Sequence, residues 1–209
     1  QALLAGGSEA QQSEWLPKLA AGSVGTLALA EAHGDWALTH IDATAKSDGD
    51  RLLLAGTKHF VLWADKADLA IVSVTLDGEP ALVLLDRDAI AAGSLRREAI
   101  IDETKRSFAL MLDGISVPRS ALLPLEKARA TLAHIEQAAA LLQAAEMCGG
   151  TQSVIDYTIS YLQTRKQFGK LIGEYQALKH PTVDAYVEYE KARSHLYSAA
   201  NAFGQQGQG

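Results

Sequence analysis

Arg165-Lys166-Gln167-Phe168-Gly169-Lys170-Leu171-Ile172-Gly173-Glu174-Tyr175-Gln176 separates two long helical patterns and decides how the chain is built. Before it, Ile155, Ile159 and Leu162 recur at helical spacing; after it, Leu178, Val183, Val187 and Leu196 do roughly the same. A turn that only joined two helices would not need Arg165, Gln167, Phe168 and Gln176 together. Arg165 offers a fixed fork of donors suited to phosphate oxygens. Phe168 offers an apolar face and Gln176 an amide. Alternatively, Arg165 is a cation at a helix C-terminus, interacting with the last carbonyls, and Phe168 is packed in the core.

Working outward, the alanine-rich segment from Leu125 carries Leu132, Ile135, Leu142 and Val154, which predicts one long helix running through Gly149-Gly150 towards Arg165. A second helix is expected from Tyr175 or Gln176 to Ala202, with Pro181 bending it or restarting its first turn. Phe203 to Gly209 has no apolar period and reads as frayed or cut. Upstream, from Ser23 to about Leu123, the pattern is β. Strands are expected at Leu27–Ala30, Ile41–Ala45, Arg51–Leu54, Thr57–Trp63, Leu69–Thr75, Ala81–Leu85 and Phe108–Leu112. Asp48-Gly49, Asp77-Gly78 and Asp113-Gly114 supply turns, and Pro118 leads out of the sheet. The charge-rich stretch Arg96–Arg106 reads as a solvated loop. At the front, Ala2-Leu3-Leu4 closes a helix at Gly6-Gly7, and Ser8 caps a short helix that carries Trp15 and ends at Pro17. The chain opens in mid-pattern, which predicts a preceding part outside this sequence.

The fold class expected is therefore α+β. It comprises the end of an N-terminal helical domain (1–24), a middle antiparallel β-barrel or sandwich (25–123), and the first helices of a helical bundle (124–209). Composition bounds the function. Hydrophobic residues make up 48% of the 209 residues and mean hydropathy is zero, as in ordinary globular proteins. A net charge of −6 argues against a general nucleic-acid binder. No apolar run is long enough to span a bilayer. A lone cysteine, Cys148, excludes an internal disulfide and reads as a small buried hydrophobe. With no secretory leader in view, a reducing cytoplasmic location is expected. The six histidines show no ligand pairing by spacing, so no metal is expected.

The ordered set of motifs resembles the acyl-CoA dehydrogenase family, in particular the divergent actinobacterial-type members that degrade steroid side chains or other bulky acyl groups. The residues that carry the resemblance are Trp15-Leu16-Pro17-Lys18-Leu19-Ala20, Leu27-Ala28-Leu29-Ala30-Glu31, Gly56-x-Lys58, Ala67-Asp68, Val117-Pro118, Ala144-Ala145-Glu146, Tyr161-x-x-x-Arg165, Arg165-x-Gln-Phe-Gly and Gln176-Ala177-Leu178-Lys179-His180. The resemblance implies a subunit of about twice this length in a homo- or heterotetramer. It also implies FAD lying across a subunit interface, an acyl-CoA substrate, and electron-transfer flavoprotein or a similar acceptor. A glutamate removes the α-proton while the flavin takes the β-hydride.

By the same resemblance, Arg165, Gln167, Phe168 and Gln176 contact the adenosine diphosphate half of an FAD held mainly by a neighbouring subunit. Leu29, Ala30, Phe60 and Leu62 fall at flavin-side positions, and Trp36 falls in the substrate pocket. The family's threonine and serine hydroxyls at positions 30, 36 and 62 are replaced by Ala30, Trp36 and Leu62. Backbone groups of Leu29 and Ala30 could still bind flavin. Phe60 and Leu62 on one strand face also fit an ordinary sheet core. His33 reads as a surface loop histidine without a visible partner. The family's usual catalytic glutamate falls beyond this chain. Glu136, one turn before the alternative family position at Ala139, is the candidate within it, against a solvated helix-surface glutamate. Kept contacts to a neighbour's FAD beside lost hydroxyls of its own suggest a subunit with a depleted flavin pocket in a heteromer. The alternatives are a non-catalytic structural partner and a flavin monooxygenase of the same fold.

Overall fold

The computed structural model describes residues 1–90 and 95–206. These form two compact units, residues 1–136 and residues from 137 onward, and the division falls inside one long helix.

The first unit begins with α1 (Ala2–Gly6) and α2 (Glu9–Ala20). Ser8 caps α2 through a reciprocal capping box with Gln11. The helix does not stop at Pro17 as expected. Pro17 removes one hydrogen bond, but its carbonyl still accepts from Ala21, and Leu16 and Leu19 hold the last turn against an apolar cluster. Among the described residues nine strands follow: β1 (Gly25–Ala28), β2 (Thr44–Asp48), β3 (Arg51–Ala55), β4 (Thr57–Leu62), β5 (Leu69–Leu76), β6 (Glu79–Asp86), β7 (Leu95–Glu98), β8 (Ser107–Met111) and β9 (Ser116–Pro118). One sheet holds β1, β5, β2, β3, β9 and β6; the other runs β4-β8-β7.

β5 and β6 form the centre of the unit. Their residues are buried almost without interruption. Alternate side chains go to opposite faces, so one apolar run feeds two cores. Ala70, Val72, Val74, Ala81, Val83 and Leu85 join Val61, Leu110 and Leu112 in one cluster. Leu69, Ile71, Leu82 and Leu84 join Leu3, Trp15, Leu132 and Ile135 in the other. Most pairings are antiparallel. β1 and β2, however, both lie parallel to β5, β1 along Leu69–Val72 and β2 at Thr75–Leu76. β6 covers the other edge of β5 from Leu69 to Leu76, so β1 and β2 lie end to end along one edge, and the segment 29–43 leaves that edge after β1 and returns to it at β2. The parallel direction comes from the longer connection through β3 and β4 to β5. The strand expected at Ile41–Ala45 starts later, at Thr44. Part of the expected loop Arg96–Arg106 is strand: β7 pairs with β8 from Leu95 to Glu98. Its charged side chains suit the edge of a sheet and disguise it in the sequence.

This excursion is fixed at its neck by a buried ion pair. Lys58 is fully buried, and its Nζ donates to Glu31 Oε1 (2.5 Å) and to Ser73 Oγ (2.9 Å). Glu31, 3% exposed, also accepts the backbone N–H groups of Asp42 (2.6 Å) and Ala43 (3.0 Å). One carboxylate thus ties the start of the segment to its end and to β4. Burial pushes the Glu31 carboxyl up, but Lys58 and the two backbone donors more than offset this and hold it below its ordinary 4.5. Burial pulls the Lys58 ammonium down, and Glu31 partly offsets that.

The second unit consists of the rest of α3 (Ala128–Thr164), a small hairpin of β10 (Lys166–Gln167) and β11 (Lys170–Leu171), and α4 (Gln176–Gln206). α3 continues through Gly149-Gly150 as expected. The hydroxyls of Thr151, Ser153 and Thr158 bond back to the carbonyls one turn earlier. α4 runs through Pro181 and past Ala202 to Gln206, so part of the expected frayed tail is helical; residues 207–209 lie outside the described residues. Tyr189 is buried and donates its hydroxyl to Gln152 (2.9 Å), which links the two helices.

Replacing Glu31 with Gln leaves the Lys58 ammonium buried without its counter-charge, and about 3–5 kcal/mol of stability is expected to be lost in denaturant unfolding. The Glu31→Gln/Lys58→Met double variant is expected to recover most of it. Because the folded-state carboxyl is held below 4.5, its contribution is complete above that pH and disappears as pH falls through the lower folded value. Acid titration of the Glu31→Gln variant should therefore lack that limb of the stability curve.

Candidate functional site

The residues singled out in the sequence fall into two groups, one in each unit, and each group is built differently.

In the first unit, the end of β1 and β4 run side by side. His59 N–H donates to Ala30 O (2.9 Å), and Thr26 Oγ1 donates to Leu62 O (2.6 Å). These bonds set Ala30 beside His59 and Thr26 beside Leu62, so the segment holding Leu29 and Ala30 runs along the strand that carries Phe60 and Leu62. A core role for Phe60 and Leu62 does not hold: Phe60 is 56% exposed and Leu62 39%. The cause is a register shift in the β4–β8 ladder between Lys58 and Val61, which turns Lys58 and Val61 inward and Phe60 and Leu62 outward. Phe60 adopts φ +54° and Trp63 φ +56°, left-handed conformations that cost a bulky residue free energy.

Glu98 secures this bulge. Its carboxylate accepts the Phe60 N–H (2.8 Å) and the Ser107 hydroxyl (3.2 Å), and it pairs with His59 Nδ1 (2.7 Å). Burial pushes the Glu98 carboxyl up; His59, Phe60 N–H and Ser107 pull it lower, and they win. Glu98 is a residue that sequence reasoning missed, because it sits in the charge-rich stretch taken for loop. No periodicity marks it; the nearest signal is Leu95, whose apolar side chain heads a short edge strand.

Trp36 is 83% exposed on the segment 29–43, so it does not fill a pocket among the described residues. His33 is not solitary. Its ring stacks on that of His40 (centroids 4.3 Å apart, 10° between planes), and its Nε2 lies 3.4 Å from Glu31 Oε2. His40 Nδ1 pairs with Asp35 Oδ2 (2.9 Å). That bond raises the His40 pKa from 6.5, while the Ala37 N–H and His40 lower that of Asp35.

In the second unit, Phe168 and Gly169 are the central residues of a two-residue hairpin, with Gln167 paired to Lys170 and Lys166 to Leu171. Both have positive φ, +54° and +83°, which marks a type I′ turn. Glycine suits the second position; phenylalanine at the first is strained. Phe168 is nevertheless 92% exposed, so no core burial explains it and the packed reading fails. Its ring meets Tyr175 edge-on at 6.5 Å. Tyr175 also carries Lys170 Nζ over its face (4.2 Å) and donates its hydroxyl to Gln167 O (3.1 Å), which stiffens the hairpin. Gly173 lets the short turn after β11 pass close to α3: a Cβ there would lie 2.8 Å from Leu162 O. Arg165 ends α3, with its N–H bonded to Tyr161 O and its carbonyl accepting from Ile172. Arg165, Gln167 and Gln176 are exposed. The hairpin thus presents a fork of cationic donors, an aromatic face and two amides to the surface, a set suited to an anionic group joined to a planar ring. Glu136 and Ala139 are exposed on α3, and Cys148 is half-buried.

Residues 128–208 match the family described as acyl-CoA dehydrogenase, C-terminal domain. The acyl-CoA dehydrogenase FadE12 of Mycobacterium tuberculosis is 29% identical over 206 residues, which cover 94% of this chain and 53% of that protein. The glutaryl-CoA dehydrogenase of Desulfococcus multivorans is 30% identical over 209 residues, 96% of this chain and 54% of that protein. Among solved structures, glutaryl-CoA dehydrogenase of Mycobacterium smegmatis in complex with FADH2 superposes with a TM-score of 0.81 at 26% identity, covering 98% of this chain and 53% of that one. The acyl-CoA dehydrogenase of Geobacillus kaustophilus shares the fold, with a TM-score of 0.86 at 22% identity over 98% of this chain and 57% of that one. The chain spans about half the length of the curated relatives it matches. Motif order, the sheet unit followed by long helices, and these likenesses agree: residues 128–208 match the C-terminal domain of acyl-CoA dehydrogenases, and the chain is similar to members of that family over almost its whole length.

Proposed function

We propose that this chain is part of an FAD-dependent acyl-CoA dehydrogenase that introduces an α,β double bond into an acyl-CoA thioester. In this reading it is the subunit with a depleted flavin pocket in a heteromeric assembly, and it extends Arg165, Gln167, Phe168 and Gln176 to an FAD bound chiefly by a partner subunit. The observation that carries the reading is Phe168, a strained and almost fully exposed aromatic beside Arg165 on a stiffened hairpin. Exposure and strain together are costly in an isolated chain and are explained if a ligand covers the ring.

The residues present fit such a group. Arg165 would hold the pyrophosphate through a bidentate pair, Phe168 would lie against the adenosine half, and the amides of Gln167 and Gln176 would fix its orientation. When bound, the flavin supplies the two-electron acceptor for desaturation. In the first unit, Phe60 and the backbone of Leu29 and Ala30 could line a flavin edge, but Ala30 and Leu62 carry no side-chain donor, which supports depletion there. Trp36 sits on the segment expected to line the substrate pocket. Proton abstraction from the α-carbon falls to a glutamate; Glu136 is the candidate in this chain, and the resemblance puts the usual one beyond Gly209. Electrons would leave to electron-transfer flavoprotein or a similar acceptor.

Arg165→Ala in the purified assembly is expected to weaken FAD binding roughly tenfold to a hundredfold, the equivalent of about 1.5–3 kcal/mol for a charge-assisted contact, as read by flavin fluorescence titration. Phe168→Gly relieves the left-handed strain, so its thermal stability should stay within about 1 kcal/mol of the parent while FAD retention falls. Unchanged FAD affinity in both variants would remove the hairpin from the cofactor site. A colourless assembly under saturating FAD would favour a structural partner instead.

A further inference from the structure

The segment 29–43 does more than leave and rejoin the edge of β5. It gathers His33, Asp35 and His40 so that one ligand atom from each lies within 4.8 Å of the others. The geometry points to a binding site for a divalent transition-metal ion of the zinc class on this segment, with His33, Asp35 and His40 as ligands and water completing the coordination shell. This inference is independent of the flavin reading.

The donor set has the right chemistry. Two imidazoles and one carboxylate suit a borderline ion such as zinc, and three protein ligands leave room for solvent. The His40 Nδ1–Asp35 Oδ2 pair stands 2.9 Å apart. An ion with legs of about 2.0–2.1 Å to each would replace the shared proton at an angle of about 90°. His33 Nδ1 now accepts the Asp35 N–H (2.9 Å) and Nε2 lies 3.4 Å from Glu31 Oε2, so an ion would be ligated after the exposed His33 ring turns out of its stack on His40 and exchanges one of these contacts for the metal. Bringing ligand atoms that lie within 4.8 Å to the about 3–4 Å spacing of a shared ion asks for shifts of about an ångström, which exposed side chains can make.

Charge and order favour the same conclusion. Glu31 and Lys58 neutralise one another in their buried pair, which leaves Asp35, paired with His40, and Asp42 as the further carboxylates beside the imidazoles. Glu31, His33 and Asp42 form a second grouping within the same distance. Glu31 is the weaker ligand, because its oxygens already accept from Lys58, Asp42 and Ala43. The segment is also held in shape before any ion arrives. Gly34 N–H bonds to Glu31 O, Ala37 N–H to Asp35 Oδ1, and His40 N–H to Ala37 O. Gly34 takes φ +66°, which turns the chain between His33 and Asp35. A preformed loop spares an ion most of the ordering entropy.

The test is zinc binding by the chelator-stripped chain, measured by equilibrium dialysis and metal analysis. One zinc per chain is expected, lost in His40→Ala and in Asp35→Asn and kept in His195→Ala. Absence of binding, or zinc retained in both site variants, would overturn the site. Imidazole nitrogen resonances of the unmodified chain give a readout free of any folding defect: zinc should shift those of His33 and His40, and shifts confined to other histidines would contradict the proposal.

Discussion

The Lys58–Glu31 pair is the constraint on which the first unit depends. A fully buried ammonium is costly to desolvate and is tolerated only with a counter-charge and hydrogen bonds around it. Here Glu31 and Ser73 receive the ammonium, and the remaining capacity of the carboxylate goes to the backbone at 42 and 43. The pair therefore fixes three elements at once: β4 through Lys58, β5 through Ser73, and both ends of the segment 29–43 through Glu31. Without that knot the segment would be an open excursion between two strands that follow one another along the same edge of β5. With it, the same connection becomes a shaped surface bearing His33, Asp35, Trp36 and His40.

Strain falls on exposed aromatic residues in both units. The non-glycine residues with positive φ include Phe60, Trp63 and Phe168, all large, aromatic and at least 40% exposed. An aromatic ring forced into the left-handed region and then left in water gains little from packing. Each is held by specific groups: Phe60 by Glu98 accepting its N–H, and Phe168 by a two-residue hairpin braced by Tyr175. Such support is what keeps a costly conformation populated. Elsewhere the chain obeys ordinary rules: β5 and β6 are apolar on both faces because each face meets a core, and α3 tolerates Gly149-Gly150 inside a long alanine-rich helix.

Much of this organisation was legible in the sequence. Helical periodicity on either side of Arg165–Gln176 identifies α3 and α4, and the Asp-Gly turns place most of the strands, because apolar period and turn chemistry are local properties. What escaped was non-local. Strict alternation puts Lys58, Phe60 and Leu62 on one face; a bulge whose N–H is taken by Glu98, 38 residues away, divides them. β7 hides behind Arg96 and Arg97 because an edge strand needs no apolar alternation. The parallel pairing of β1 and β2 with β5 depends on long-range placement, across β3 and β4, that no turn signal announces. The meeting of His33, Asp35 and His40 is equally invisible to ligand-spacing rules, since it depends on the curl of one loop. The hairpin residues Arg165, Gln167, Phe168 and Gln176 could be read by position, whereas the exposure of Phe168 required the fold.

The central claim is that this chain lends a cofactor-binding hairpin to a neighbour while its own flavin pocket is depleted. Counting flavin per polypeptide in the assembly purified with its partner tests it most directly. The account predicts fewer flavins than chains, with the chain alone retaining none after dialysis. One tightly bound FAD for every copy of this chain, together with acyl-CoA turnover by the chain alone, would contradict it.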